Sequence, residues 1–332
     1  MYVRHVQLTG GSSYIITLPK NWITKYKIKK NDPLGLHVKS DGTLLVTPRI
    51  QSAQIEKVKE FNINGLLKQE DLLQLLIGAY IVGYNTLKIN SKERLSTSVR
   101  RTVKTFTQLA IGPEVIEETD SSITLKDLLN PFEMPIDKVI KRMHIIVKSL
   151  YEDTIQAFQT RDAYLVEGVT SRDDDVDRLN WFIARQYNIL LENVDLTDKL
   201  NITIDRALTC FMISRIIERI GDHVVRIAEN TPAMLNNKDE KIIDEINKAS
   251  KLSLEIFNKS IESFFKKDLK SCQRNIESVS QLEIICEGIN TRVMKHKGSA
   301  TFTIGYVTES IRRIGEYSED ISENVINYLV KI

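Results

Sequence analysis

The sequence predicts a multidomain, mainly helical protein, in which a small β head and a small α/β connecting unit precede two three-helix-bundle repeats. Three observations predict this fold class. Short alternating runs with glycine and proline turns fill the first 50 residues, and apolar residues recur at helical spacing after residue 135. The third is an internal repeat, because residues 214–230 return without a gap as residues 308–324, with seven identities. We therefore expect domains at residues 1–50, 51–130, 131–232 and 233–332.

The charge of the chain is small but unevenly distributed. The 332 residues carry a formal net charge of +2 at pH 7. Residues 1–50 contain eight Lys and Arg against two Asp, so the remainder of the chain is mildly acidic. This asymmetry predicts a polyanionic partner at the N-terminal end only.

The cysteines and the hydropathy pattern predict a cytoplasmic protein without a membrane span. Cys272 and Cys286 lie 14 residues apart on one predicted helix, roughly 21 Å and beyond disulfide reach. With Cys210 they form no CxxC pair, so we expect reduced thiols. The longest apolar run, residues 72–82, is too short to cross a bilayer, and the N-terminus lacks a signal-peptide layout.

The head reads as two hairpins and a short helix. Residues 3–8 and 14–18 alternate as strands around Gly10-Gly11, and Pro19 opens a helix over residues 20–26. Residues 34–38 and 43–47 flank the hairpin signal Asp41-Gly42. Because so small a module buries little apolar surface alone, we expect it to pair with a second copy.

This head resembles the swapped-hairpin DNA-binding domain of the AbrB/SpoVT family. The resemblance is carried by the Gly10-Gly11-Ser12 turn, the Thr17-Leu18-Pro19-Lys20 corner, the Asn31-Asp32 turn and the Asp41-Gly42 hairpin. It implies an interleaved homodimer that binds DNA, with Arg4, Lys20 and Lys25 as candidate contacts. Those side chains would neutralise phosphates in a salt-dependent way, with base-edge contact by Arg4. The alternatives are a solvated lysine-rich surface and a head that only dimerises.

Residues 51–130 predict a βαββ-like connecting unit. We expect helices at residues 66–82 and 94–110, a strand at residues 87–89, and a hairpin of residues 114–118 with 122–125. The helix at residues 94–110 carries a basic stripe, which an ordinary solvated face explains.

The rest of the chain predicts two sets of three helices separated at Thr231-Pro232. The helices are expected at residues 136–160, 163–191, 204–230, 240–266, 269–296 and 303–332. Lengths of about 25 residues and short connections predict antiparallel bundles.

Acidic pairs one helical turn apart mark two helices of the first set. Asp173 and Asp177 are spaced i, i+4, as are Glu218 and Asp222, so each pair shares one helix face. Neighbouring carboxylates repel each other, and a hard cation is the simplest reason to keep them together. If the two helices pack antiparallel, the four carboxylates can converge.

Other interpretations of these acids remain open. The carboxylates could instead pair with Arg178, Arg219 and Arg226 on a wet surface. His223, next to Asp222, is either a further ligand or a hydrogen-bonded surface histidine.

The second set repeats the acidic pattern with changes. Glu283 and Glu287 take the places of Asp173 and Asp177, and Glu316 and Asp320 lie on the last helix. Arg312 stands where the first set has Glu218. A guanidinium competes with a metal ion, so this second site is weaker, and Arg312 is expected to pair with Glu316 instead.

Residues 136–332 resemble the PhoU family, whose members contain two three-helix repeats with acidic [ED]xxxD motifs. The motifs here are Asp173-Asp174-Asp175-Val176-Asp177 and Glu218-Arg219-Ile220-Gly221-Asp222. The resemblance implies metal binding on these faces and a role in regulating phosphate uptake. Together with the head, the whole chain is similar to archaeal PhoU-type regulators. The metal is left open among Mg²⁺, Ca²⁺, Mn²⁺, iron and Zn²⁺.

The sequence motifs argue against an enzyme. None of the five histidines follows a Glu by three residues, as the di-iron carboxylate bundles require, and no G-x-S-x-G, Walker A or HExxH motif is present. We expect a dimeric, DNA-binding regulator of phosphate uptake whose body senses metal, metal-bridged phosphate, or phosphate-transport and signalling proteins. The alternative is a metal-binding PhoU-like accessory protein of a phosphate transporter, with a head that only dimerises.

Overall fold

Long helices dominate the chain in a computed structural model, as the sequence predicts. It describes residues 2–38, 42–48, 56–63, 69–234, 239–294 and 300–331. Contacts divide the chain into two units, Met1–Glu56 and Lys57–Ile332. The finer four-domain division stays a prediction. None of the described helices combines the length and apolar character that a membrane crossing requires.

The first unit, called the head below, contains the two expected hairpins and the short helix. Strands β1 (Gln7–Thr9) and β2 (Ser13–Ile15) pair antiparallel, as do β3 (Gly35–Val38) and β4 (Leu44–Thr47), and helix α1 spans Lys20–Lys25. Gly10 and Gly11 close the first hairpin with φ of +60° and +82°, a region that residues with a side chain rarely adopt. Asp41 of the predicted second turn lies outside the described residues.

The described residues of the head form no buried core of their own. No described side chain in it is buried, and Leu8, Tyr14, Leu36 and Val38 are 60–79% exposed. An apolar surface of this kind is unstable in water unless another chain or element covers it.

The second unit begins with a four-stranded mixed sheet and two helices. Its elements are β5 (Val58–Asn62), α2 (Gln69–Ile81), β6 (Thr86–Asn90), α3 (Thr97–Leu109), β7 (Pro113–Glu118) and β8 (Ser122–Asp127). The strand order is β5-β6-β8-β7, with β5 and β6 parallel and the other pairs antiparallel. Strand β5 was not predicted, because its VKEFN sequence carries only two apolar residues.

Seven helices follow. They are α4 (Ile136–Thr160), α5 (Val169–Glu192), α6 (Val194–Leu200), α7 (Ile204–Met234), α8 (Glu240–Lys266), α9 (Leu269–Val293) and α10 (Ala300–Lys331) within the described residues. Helices α4, α5 and α7 pack on one another, and so do α8, α9 and α10. The two sets meet where α7 lies against α10 and α4 lies against α8.

The prediction of the helical part was wrong at the end of α7 and at the start of α5, and it missed one short helix. Pro232 lies inside the last turn of α7, where a proline removes only a terminal hydrogen bond. Residues Ala163–Val166 form a 3-10 turn, and Gly168 with φ of +74° then starts α5. Helix α6 between α5 and α7 was missed, because seven residues are too few to show a period. The predicted end of α9 at residue 296 lies outside the described residues.

One buried ion pair attaches the sheet to the first helical set. Arg185 of α5 lies 2.8 Å from Asp127 at the end of β8, and their side chains are 2% and 6% exposed. The same guanidinium donates to the backbone carbonyls of Tyr80, in the last turn of α2, and Tyr84, just after that helix. The sheet unit is therefore fixed to the helix that carries Asp173.

Candidate functional site

Where α5 crosses α7, the carboxylate of Asp173 lies against Gly221, the glycine that the internal repeat shares with Gly315. A methyl group at Gly221 would lie 2.7 Å from Asp173 Oδ1 and 3.5 Å from Val147 of α4. Helix α7 presents its apolar face to the core, because Ile217, Ile220 and Val224 are fully buried. Gly221 therefore lets Asp173 reach the backbone of α7 at a close helix crossing.

The four predicted carboxylates of the first set form one electrostatic cluster. The pKa of Asp173 rises from 3.8 to about 7, first because the group is buried and then because Asp177, Asp222, Glu218 and Asp174 repel its charge. The pKa of Asp177 rises to about 6 through burial, Asp222 and Asp174. Asp174 belongs to the cluster although it was not predicted; its place in the DDDVD run was the available signal.

The pKa values of Glu218 and Asp222, the two acids of α7, are also raised. Burial, Asp222 and Asp177 raise the pKa of Glu218, while Arg215 and Arg219 lower it. Burial also raises the pKa of Asp222, and Arg226 opposes that rise. Each carboxylate is thus harder to ionise in the fold than in water.

Direct ion pairs with neighbouring arginines do not account for this cluster. Arg178 pairs with Asp175, at 3.3 Å, rather than with a predicted ligand. Across the described ranges none of Asp173, Asp177, Glu218 and Asp222 lies within 4.0 Å of a basic nitrogen. The repulsion between these carboxylates is therefore not neutralised by contact with a side-chain cation.

The donor chemistry of this quartet fits a hard cation. All four side chains offer oxygen, which suits Mg²⁺, Ca²⁺, Mn²⁺ or iron better than it suits the nitrogen and sulfur preference of Zn²⁺. In the part of the chain that the structure describes, no three His, Cys, Asp or Glu side chains are arranged to ligate one ion as they stand. A bound ion would therefore require rotation of these side chains.

His223 is not the surface histidine that the sequence suggested. Its residue is only 9% exposed, and Nδ1 has no hydrogen-bond partner among the described residues. Its ring lies 5.6 Å from that of Tyr317 on α10. Burial, with Arg226 and Arg313 nearby and Glu309 opposing them, lowers its pKa to about 4. His223 thus belongs to the contact between the two helical sets.

Arg312 occupies the corresponding face of the second set. It pairs with Glu316, as predicted, and also forms a bidentate pair with Glu309, with N–O distances of 2.7 and 2.9 Å. Arg313 lies 3.1 Å from the other oxygen of Glu316. Because two guanidiniums bind Glu316, that carboxylate is less available to a metal ion.

The remaining predicted ligands of the second set are more exposed than those of the first. Glu287 and Asp320 are exposed, and Glu283 is half-buried. The nearest side chain to Gly315 is Leu282, where Gly221 has a carboxylate. Three of the predicted ligands lie near Glu319, which was not predicted: its pKa is raised by burial, Glu323, Glu283, Asp320 and Glu316. The i, i+4 spacing of Glu319 and Glu323 was the signal that could have located it.

The candidate DNA contacts all lie on the head and are exposed. Lys20 and Lys25 are the first and last residues of α1. Arg4 donates to the carbonyl of Val3 and lies 5.8 Å from the ring of Tyr2. Because these three side chains are exposed, each can contact a partner. The structure does not show that they form a single site.

Family models match the head and the first helical set. Residues 140–231 match the PhoU domain, which covers the first helical set. Residues 7–54 match the model described as antidote-toxin recognition MazE, bacterial antitoxin. The chain is therefore similar to a MazE antitoxin domain in its head and to a PhoU domain in its first helical set.

Similar proteins support the helical part of this assignment. A phosphate-specific transport system accessory protein PhoU homolog of Clostridium acetobutylicum is 32% identical over 145 residues, which are 43% of this chain and 62% of that relative. The match thus spans less than two thirds of that relative's length.

Two crystal structures resemble the helical part. PhoU from Pseudomonas aeruginosa has a TM-score of 0.53 at 17% identity, covering 59% of this chain and 95% of that chain. The phosphate transport system regulatory protein PhoU from Streptococcus pneumoniae has a TM-score of 0.52 at 16% identity, covering 59% of this chain and 94% of that chain. At such identities the likeness establishes a PhoU-like helical fold.

Proposed function

We propose that this protein is a dimeric, DNA-binding regulator of phosphate uptake whose acidic helical body binds a metal ion. The observation that carries the proposal is the cluster of Asp173, Asp177, Glu218 and Asp222, which lies within the residues that match the PhoU domain. The helical part of the chain, called the body below (residues 131–332), would act as a sensor or as a docking surface for phosphate-transport or signalling proteins. The head would supply the DNA contact and the dimer.

The proposed metal would be held by that carboxylate quartet. When bound, the ion would supply the positive charge that the cluster lacks. Burial and mutual repulsion hold the pKa of Asp173 at about 7, so a proton and a cation would compete for the same oxygens near neutral pH. Metal affinity would therefore rise with pH.

The proposed DNA contact rests on the charge and exposure of the head. Arg4, Lys20 and Lys25 are exposed, and residues 1–50 contain eight Lys and Arg against two Asp, whereas the rest of the chain is mildly acidic. Lysine and arginine side chains that neutralise phosphates release counterions, which makes such binding salt-dependent.

An accessory protein with a dimerising head is the second candidate. It is favoured by the name of the Clostridium acetobutylicum relative, which is described as an accessory protein of phosphate-specific transport. The relatives compared are bacterial, so the archaeal arrangement stays a prediction. Both candidates are non-enzymatic. Both would be cytoplasmic, and the three free, buried cysteines are in keeping with that location.

The amount of metal bound by the purified protein tests whether the carboxylate quartet is a metal site. Protein purified after exposure to Mg²⁺, Mn²⁺, Fe²⁺ or Zn²⁺ should retain metal, and Asp173→Asn and Glu218→Gln should each reduce the bound amount at least tenfold. Asp244→Asn, which changes an exposed acid on α8, serves as the matched control and should retain the wild-type amount. Equal metal content in the wild type and all three variants would contradict the proposed metal site.

Duplex binding at several salt concentrations tests the head. A random-sequence duplex pool should be shifted by the wild type. The double variant Arg4→Ala with Lys20→Ala should make the negative slope of log K against log salt shallower by about 2 for each head that contacts the duplex. Arg101→Ala with Lys251→Ala changes two exposed cations of the second unit and should leave binding unchanged. A wild-type dimer that shifts no duplex at low salt would favour the accessory protein.

A further inference from the structure

A cavity of about 260 Å³ lies where the 3-10 turn Ala163–Val166 and the start of α5 meet the last turns of α7. Gly168, with φ of +74°, separates the turn from α5, and the turn packs against α7. Ala163 and Ala228 line the cavity, and their small side chains leave space there. A dry cavity of about 150 Å³ is enough to hold benzene, so this one can hold a small organic molecule.

Most of the remaining wall of the cavity is apolar. It is formed by Val166 of the turn, Val169 of α5, and Val225 and Pro232 of α7. Val169 is buried, whereas Val166 and Val225 are half-buried. An organic body would remove this surface from water, which a bare ion cannot do.

Two carboxylates line the same cavity from different elements. Glu167 directly precedes Gly168 at the start of α5, and Glu229 belongs to α7. Both residues are exposed, so a ligand can reach their oxygens. Across the ranges that the structure describes, neither carboxylate lies within 4.0 Å of a basic nitrogen. Neither is therefore already occupied by an ion pair.

The charge at the cavity is negative. The N-terminus of α5, at Val169, contributes about half a positive charge against the two full carboxylates. Thr170, the other polar residue of the lining, is neutral, and Arg226, three residues before Glu229, does not line the cavity. The carboxylate quartet begins one helical turn further along α5 and α7, and its field adds to the negative potential. A cation is therefore favoured.

We propose that this cavity is a binding site for a small organic cation, a primary amine whose apolar body is about the size of a benzene ring. The ammonium group donates charge-assisted hydrogen bonds to the carboxylates of Glu167 and Glu229. The valines and Pro232 cover the body of the ligand. The site goes beyond the proposed function and requires neither DNA nor a bound metal ion.

Matched probes test the two halves of this assignment by ligand-observed NMR titration of the full chain at pH 7. A chelator is present, so the outcome is independent of the proposed metal site. We expect saturable binding of 2-phenylethylamine. Both 2-phenylethanol, which has the same body without the charge, and ethylamine, which has the charge without the body, should bind at least tenfold more weakly.

A double variant locates the charged contact. Glu167→Gln with Glu229→Gln keeps the shape of both side chains but removes their charge, so the preference for the amine over the alcohol should fall from at least tenfold to less than about twofold. Asp244→Asn with Glu277→Gln changes two exposed acids of α8 and α9 and should retain the wild-type preference. Each of these substitutions changes only exposed residues.

A second variant locates the apolar contact. Val225→Phe fills the cavity and should weaken binding of the amine at least tenfold, whereas Ile145→Phe changes an isoleucine that is 63% exposed on α4 and should leave it unchanged. Thermal unfolding checks that Val225→Phe folds. If it does not, the glutamine double variant still decides the assignment.

Three results would overturn the proposal. They are no saturable binding of 2-phenylethylamine by the wild type up to about 10 mM, equal affinity of the wild type for 2-phenylethylamine and 2-phenylethanol, and an unchanged preference for the amine in the glutamine double variant.

Discussion

The carboxylate of Asp173 lies on Gly221, so a residue of the middle helix of the first set reaches the backbone of the last helix. A methyl group at Gly221 would be 2.7 Å from Asp173 Oδ1. The duplicated glycine of the second set, Gly315, is instead covered by Leu282. The same repeated glycine thus supports an acidic contact in one half of the protein and an apolar contact in the other.

Substitution of Gly315 should show how close the second crossing is. An alanine methyl at Gly315 would clash with Cδ2 of Leu282, which is fully buried. We expect Gly315→Ala to lower the free energy of unfolding by about 1–3 kcal/mol, measured by urea denaturation. Gly288 on α9 has open space around its Cα, so Gly288→Ala should raise that free energy by about 0.5–1 kcal/mol. Equal effects of the two substitutions would contradict the close crossing.

The carboxylate cluster should make the metal-free protein less stable as pH rises. Because the folded pKa of Asp173 is about 7 against an ordinary 3.8, the folded state binds this proton more tightly than the unfolded state. Its stabilising effect is complete below about pH 4 and is lost as pH rises through about 7.

Asp173→Asn removes the contribution of Asp173 to this dependence, while Asp177, whose pKa is also raised, keeps its own. In the presence of a chelator the substitution should raise the free energy of unfolding by about 1 kcal/mol at pH 8, allowing for solvent screening of a half-buried group, and change it little at pH 4. Denaturant titrations at both pH values measure the difference. Asp244→Asn on exposed α8 surface is the control, and an equal gain at both pH values would exclude the repulsion.

The ion pair of Arg185 and Asp127 should be far more important for stability than a surface pair. Both side chains are almost completely buried, so Asp127→Asn leaves the Arg185 charge without its counterion in the interior. We expect a loss of about 3–5 kcal/mol in the free energy of unfolding. Lys259→Ala, which breaks a half-exposed pair with Glu255, should cost under about 1 kcal/mol. Similar losses would show that water reaches Arg185.

The head should hold two copies of the chain together. Leu36 on β3 is 63% exposed, and a carboxylate there would have to be desolvated in a dimer. Leu36→Asp should weaken dimerisation at least tenfold in sedimentation velocity experiments. Ile284 on α9 is similarly exposed, at 69%, and Ile284→Asp should leave the dimer intact. A monomeric wild type at micromolar concentration would contradict this prediction.

The helices were predictable where a local pattern was long. Residues 136–160 and 240–266 were placed with the bounds that the structure gives, because an apolar face repeated over seven turns leaves little ambiguity. Strand β5 and helix α6 were missed because five and seven residues are too short to reveal a period. The start of α5 was misplaced because Gly168 and the preceding turn interrupt an otherwise helical pattern.

The sequence by itself determined the mainly helical fold class and which acids share a helix face. The periodicity, the repeated ERIG/RRIG motif and the i, i+4 acids depend only on neighbours along one helix, where spacing fixes which side chains share a face. For this reason Asp173, Asp177, Glu218 and Asp222 could be selected without coordinates.

Only the tertiary structure decided which side chains meet between helices. In the folded protein His223 is buried against α10, and two arginines form ion pairs with Glu316. Gln186 and Arg206 each keep one buried polar atom without a hydrogen-bond partner among the described residues. These outcomes depend on the crossing and the separation of elements far apart in the chain. Contact across helices is set by packing of whole faces, which no local spacing encodes.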